Sequence, residues 1–185
     1  MAVATHTWIS ELAEHSREFD QKAESAFQRL SSEQLNWHPE KGTWSIGQEL
    51  HHLVLANESY VKIVEDLSAS AGPARDEYKA GFWGKYLIKA VGPVESSLPA
   101  PVPKQLVPSE KNLDGAVLSQ FLDLQTRFHA ALHGIEQKDL NAKFTSPFSS
   151  IVKLKLGDAI WVIEQHNKRH IAKALKLMDR PEFPK

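Results

Sequence analysis

The chain has 185 residues, with 22 Lys and Arg against 23 Asp and Glu, and its formal charge of −1 leaves no basic surplus for a phosphate backbone. Nucleic acid is thereby excluded as an expected primary partner, and the length suits a single domain over residues 1–185 with one well-buried core. Cysteine is absent, which rules out disulfides, thiolate ligands and an intrinsic sulfur nucleophile, so any metal must be held by nitrogen and oxygen. Met1 to His6 carry neither a basic segment nor an apolar run, and no stretch approaches the roughly 18 apolar residues of a membrane span. The expectation is a soluble cytoplasmic protein with no membrane partner.

From Trp8 to about Leu30 the apolar residues Trp8, Leu12, Phe19, Ala23, Phe27 and Leu30 recur at threes and fours, which predicts an amphipathic helix. Ser31 to Gly42 carries turn residues and Pro39, so His38 is expected in a loop. A second helix is predicted from about Trp44 to Leu67, with Thr43 or Ser45 as its N-cap.

Pro73 to Pro108 holds six of the ten prolines, interrupted by the aromatic piece Gly81 to Lys89. A crossover of this length with little regular structure is expected to pack on the body and roof a pocket. Phe82, Trp83 and Tyr86 stand there either as pocket lining or as packing anchors. A third helix is predicted over about Ser109 to Gln137, and a loop over Asp139 to Ser150. The fourth helix starts near Leu156, with Asp158 complementing its dipole, and ends before Pro181. Strand alternation does not persist beyond short pieces such as Ile151 to Lys155. These elements describe an all-α four-helix bundle with one long proline-rich crossover between helices two and three. Such bundles build cofactor sites from inward side chains on facing helices.

Two histidine pairs have i, i+4 spacing, His166 with His170 and His129 with His133. Such residues stack about 5–6 Å apart at Cβ and can converge on one ion. Nine histidines in 185 positions produce about 0.4 such pairs by chance, so spacing alone is a weak signal. Projection at ~100° per residue sets His166 and His170 at the margin of the apolar stripe. It sets His129 and His133 toward the flank, where solvated histidines are the ordinary expectation. A third ligand could come from His51 or His52, which point about 100° apart; projection does not choose between them.

Leu30-Ser31-Ser32-Glu33-Gln34-Leu35-Asn36-Trp37-His38-Pro39, followed by Trp44-Ser45-Ile46-Gly47-Gln48-Glu49-Leu50-His51-His52-Leu53, resembles the DinB-like superfamily, as does the late His166-x-x-x-His170 helix. The resemblance extends over the order of all four helices but not over the crossover. It implies a divalent metal ion, zinc or nickel, held by His52, His166 and His170, and a homodimer. It gives His51 no role. It further implies a metal-dependent enzyme acting on a small-molecule substrate, with group transfer to a low-molecular-weight thiol as the leading reading. Because the chain lacks cysteine, that thiol must arrive as a cosubstrate. The alternatives are a metal-dependent hydrolase and a noncatalytic, stress-associated metal- or ligand-binding protein. Glu49 and Arg169 are candidates for orienting ligand or substrate, against the ordinary expectation of a solvated carboxylate and cation.

Overall fold

The computed structural model describes residues 2–75, 77–92, 102–108 and 112–185. Four long helices, α1 (Thr5–Phe27), α3 (Ile46–Ser70), α5 (Ala116–Ile135) and α6 (Leu156–Met178), form the bundle. The short α2 (Ser32–Asn36) fills part of the expected turn, and α4 (Phe82–Val91) lies within the crossover. Helices α5 and α6 each pack against both α1 and α3, so α1 and α3 meet chiefly through their shared neighbours.

Ser45 is the N-cap of α3. Its hydroxyl accepts from Gln48 N and its own N–H donates to Gln48 Oε1, the reciprocal pair of a capping box. The arrangement satisfies two otherwise orphaned groups and fixes where α3 begins, four residues before Glu49 and seven before His52. The third long helix starts at Ala116, later than expected, since residues 112–115 are not helical; Ser109 itself and the prolines at 93, 99 and 101 lie outside the described residues.

Two short strand pairs and a helix within the crossover depart from the expectation of an all-helical chain with an irregular crossover. Lys143–Thr145 (β3) and Lys153–Lys155 (β4) form an antiparallel hairpin, and Ala2–Ala4 (β1) pairs with Glu77–Lys79 (β2). Each strand has three residues, too short to establish an alternation. Helix α4 has Gly81 as its N-cap and contains Gly84, and these glycines hide a Trp83, Leu87, Ala90 and Val91 stripe at helical spacing. Gly84 is required by close approach: a Cβ there would sit 2.1 Å from Asp158 Cγ. Asp158, fully buried at the start of α6, accepts from Tyr78 Oη (2.6 Å), Gly81 N (3.1 Å) and Lys155 N (2.8 Å). One carboxylate thus caps α6 and pins the crossover to it, beyond the dipole role expected from sequence.

The apolar core divides in two. One cluster gathers Trp8, Tyr60, Phe128, Leu132 and Ile163, and the other Phe27, Leu50, Leu53, Phe121 and Ile171. Between them lies a polar layer in which Asn57 Nδ2 donates to Asn167 Oδ1 (2.7 Å) and Asn167 Nδ2 to Gln125 Oε1 (3.0 Å). Buried amides are tolerated only when paired, so this chain of bonds fixes the register of α3, α5 and α6 beside the histidines.

Candidate metal centre

His52 on α3 and His166 and His170 on α6 come together in this layer, and their ligand nitrogens all lie within 4.8 Å of one another. The three residues are 3%, 9% and 5% exposed, so bulk water reaches little of their surface. His52 Nδ1 donates to the carbonyl of Leu106 at 2.7 Å. A carbonyl can only accept, so in the neutral ring the Nε2 lone pair of His52 is free to face inward. His170 Nδ1 donates in the same way to Glu49 Oε2, which leaves its Nε2 as the available donor atom. Nε2 of His166 lies 3.1 Å from Nε2 of His52. Two nitrogens bound at 2.0–2.1 Å to a tetrahedral ion lie about 3.3 Å apart, so this separation suits a shared metal.

Burial pushes all three imidazoles below their ordinary pKa, His170 to about 2, and their mutual proximity adds to the effect on His166 and His170. Neutral imidazole is the form that ligates. Burial pushes Glu49 the other way, up to about 7, against the pull of Lys173, the His52 ring and Arg169. A divalent charge beside it would favour its ionised form. Trp44, just ahead of the Ser45 cap, stacks on His170 (6.0 Å between centroids) and tilts against His52 (4.8 Å), fixing both rings from outside.

The histidines open on a cavity of about 700 Å³. Leu87, Ala90 and Val91 of α4, with Val102, Pro103 and Leu106, form its roof, as expected of the crossover. The aromatics singled out from sequence do not line it. Phe82 and Tyr86 are exposed, and Trp83 packs on the first core cluster. The loop of the β3–β4 hairpin contributes Ser146, Phe148 and Val152, which no sequence pattern singles out.

Glu49 is the main residue undervalued by sequence: it is 5% exposed and is no solvated carboxylate. Its signal was present in Glu49-x-x-His52, an i, i+3 pair sharing one helix face. Arg169 reaches across to the end of α4, donating to Ala90 O (3.3 Å) and Gly92 O (3.1 Å). It therefore holds the roof. His51 lies outside the triad.

A search among curated proteins finds no match. A solved structure does match, YfiT from Bacillus subtilis, described as a probable metal-dependent hydrolase with an unusual four-helix bundle topology; it is 17% identical, with a TM-score of 0.59 over 95% of this chain and 89% of that one. At that identity the likeness establishes the fold. The family model described as the DinB superfamily matches residues 17–174, which include Glu49 and the three histidines. The chain belongs to the DinB superfamily.

Proposed function

We propose that this chain is a metal-dependent hydrolase in which His52, His166 and His170 hold one divalent ion, zinc or nickel. The observation that carries the reading is the convergence of three neutral imidazoles at a cavity of about 700 Å³, within the size range of small-molecule sites. Three protein ligands leave a tetrahedral ion one open position, the pattern of catalytic and not of closed structural sites. When bound, such an ion supplies a Lewis acid and lowers the pKa of ligated water toward about 7. The description of YfiT as a probable metal-dependent hydrolase supports the same reading.

The protein's own groups orient and shield. Leu106 O and Glu49 fix the tautomers of His52 and His170, while Trp44 limits the motion of both rings. Arg169 keeps the α4 roof over the cavity, which restricts water to what the site admits.

Group transfer to a low-molecular-weight thiol is the second reading, favoured by the cavity's room for two small reactants side by side. A panel assay separates the two. Metal-loaded protein is expected to cleave esters or amides without added thiol. Turnover of electrophiles only when a thiol is supplied would overturn hydrolysis in favour of transfer. Bound metal with no turnover in either panel would support the noncatalytic binding protein. The proposal includes assembly as a homodimer, which rests on family membership; a monomer mass by light scattering contradicts that part.

A further inference from the structure

Resting on that reading of the site, we propose that the substrate is an amphipathic carboxylate, with its anionic group held by Lys173 and Lys176 and its apolar arm held on the opposite side of the histidines. Helices α3 and α6 run antiparallel along the cavity. Glu49 meets His170 and Lys173, whereas Asn57, two turns further along α3, meets Asn167, so climbing α3 means descending α6. The histidine cluster therefore sits between two ends of different character.

Toward the end of α6, Lys173 lies about 4.5 Å along the axis from His170, and Lys176 about 4.5 Å further. Both line the cavity. Among the described residues the lining holds three cations, Arg169, Lys173 and Lys176, against the one carboxylate of Glu49, in a chain whose formal charge is −1. Arg169 uses Nη1 on the α4 carbonyls at the roof, and the two lysines are the cations at the far end of the lining. Lys173 Nζ rests 6.0 Å from the Trp44 ring centroid and forms an ion pair with Glu49 Oε1 at 3.9 Å, too long for a hydrogen bond. It is held at the cavity wall with donor capacity to spare. A bound carboxylate would take charge-assisted hydrogen bonds there.

Along α3 in the other direction, Ala56 and Tyr60 follow His52 at i+4 and i+8, about 12 Å of wall. Tyr60 packs edge-on against Phe148 (5.5 Å), and its hydroxyl faces Ser146 Oγ at 3.3 Å. That contact turns the hydroxyl toward the hairpin loop, and the ring supplies apolar surface for a ligand. Val162 and Val152 complete an apolar end. A ligand that satisfies both ends crosses the histidines with its middle, where a scissile ester or amide would lie.

The test uses metal-free protein, so its outcome is independent of whether the triad binds an ion or turns over. Calorimetric titration with 4-phenylbutyrate, 4-phenylbutanol and acetate is compared in the unaltered chain and in Lys173→Met/Lys176→Met. Phenylbutyrate is expected to bind about tenfold tighter than the alcohol and than acetate, the first preference shrinking at high salt. In the double variant the preference for phenylbutyrate over the alcohol is expected to fall to about one, with the alcohol's affinity unchanged as proof of an intact cavity. Equal binding of the acid and the alcohol, or a preference that survives the double substitution, would overturn the anionic half. Acetate binding as tightly as phenylbutyrate would overturn the apolar half.

Discussion

His166 and His170 on α6 and His129 and His133 on α5 have the same spacing, yet among the described residues only the first pair meets a third imidazole. On α5, His129 Nε2 lies 2.7 Å from Asp20 Oδ2 of α1, with both side chains 13% exposed, and His133 is 65% exposed with Arg17 at 3.1 Å. Thus His133 is solvated, as its position on the helix suggests, whereas His129 is substantially buried against a carboxylate. The comparison teaches that i, i+4 spacing only decides that two rings share a face. What the opposite helix presents decides the chemistry: α3 presents His52 and Glu49, whereas α1 presents Asp20 and Arg17.

The largest expected difference between the two pairs lies in metal-linked stability. Excess zinc or nickel at about 1,000 times its dissociation constant is expected to add about 4 kcal/mol in urea unfolding. His170→Ala is expected to abolish that gain and His133→Ala to retain it; a gain surviving His170→Ala would break the distinction. Next comes the roof, which only the α6 pair has. Gly84→Ala forces a Cβ to within 2.1 Å of Asp158 Cγ, and about 2–3 kcal/mol of stability is expected to be lost by denaturant titration. The loss should be accompanied by faster amide exchange in α4 while α5 is unchanged. Gly115→Ala, where nothing lies within 4 Å, is the control.

The partner carboxylates sharpen the comparison further. Glu49→Gln is expected to weaken metal binding about 10–100-fold by competition with a chelator, because the His170 ring loses its charged acceptor. Asp20→Asn should leave that affinity unchanged. The smallest expected effect is on the bare stability of His133→Ala, within about 0.5 kcal/mol of the unaltered chain by thermal unfolding. A larger loss would show that the exposed ring and its Arg17 contact carry packing that its solvated position does not suggest.

The long helices were legible because each buries a stripe repeated over many turns, and Ser45 with Gln48 marks a helix start that tertiary context does not disturb. Helix α4 was harder to read. Its ten residues contain a glycine that Asp158 demands, so the signal reflects a neighbour far along the chain more than a local preference. The β3–β4 hairpin was obscured because three-residue strands leave no period to detect. At the site, His166 and His170 were visible as spacing, but the choice of His52 over His51 needed the family register. For Glu49 the solvated reading competes with the site reading because carboxylates are rarely buried, and its burial depends on His170, 121 positions away in sequence. Leu106 holds His52 through its backbone carbonyl, a contact that no pattern of side chains encodes.

Metal content tests the site most directly. Three proteins purified without an affinity tag, the unaltered chain, His52→Ala and His129→Ala/His133→Ala, are reconstituted with zinc or nickel, passed over a chelating resin and measured by elemental analysis. About one ion per chain is expected in the first and third and close to none in the second. An unaltered chain that stays empty, or a His52→Ala protein that stays loaded, would contradict the three-histidine centre.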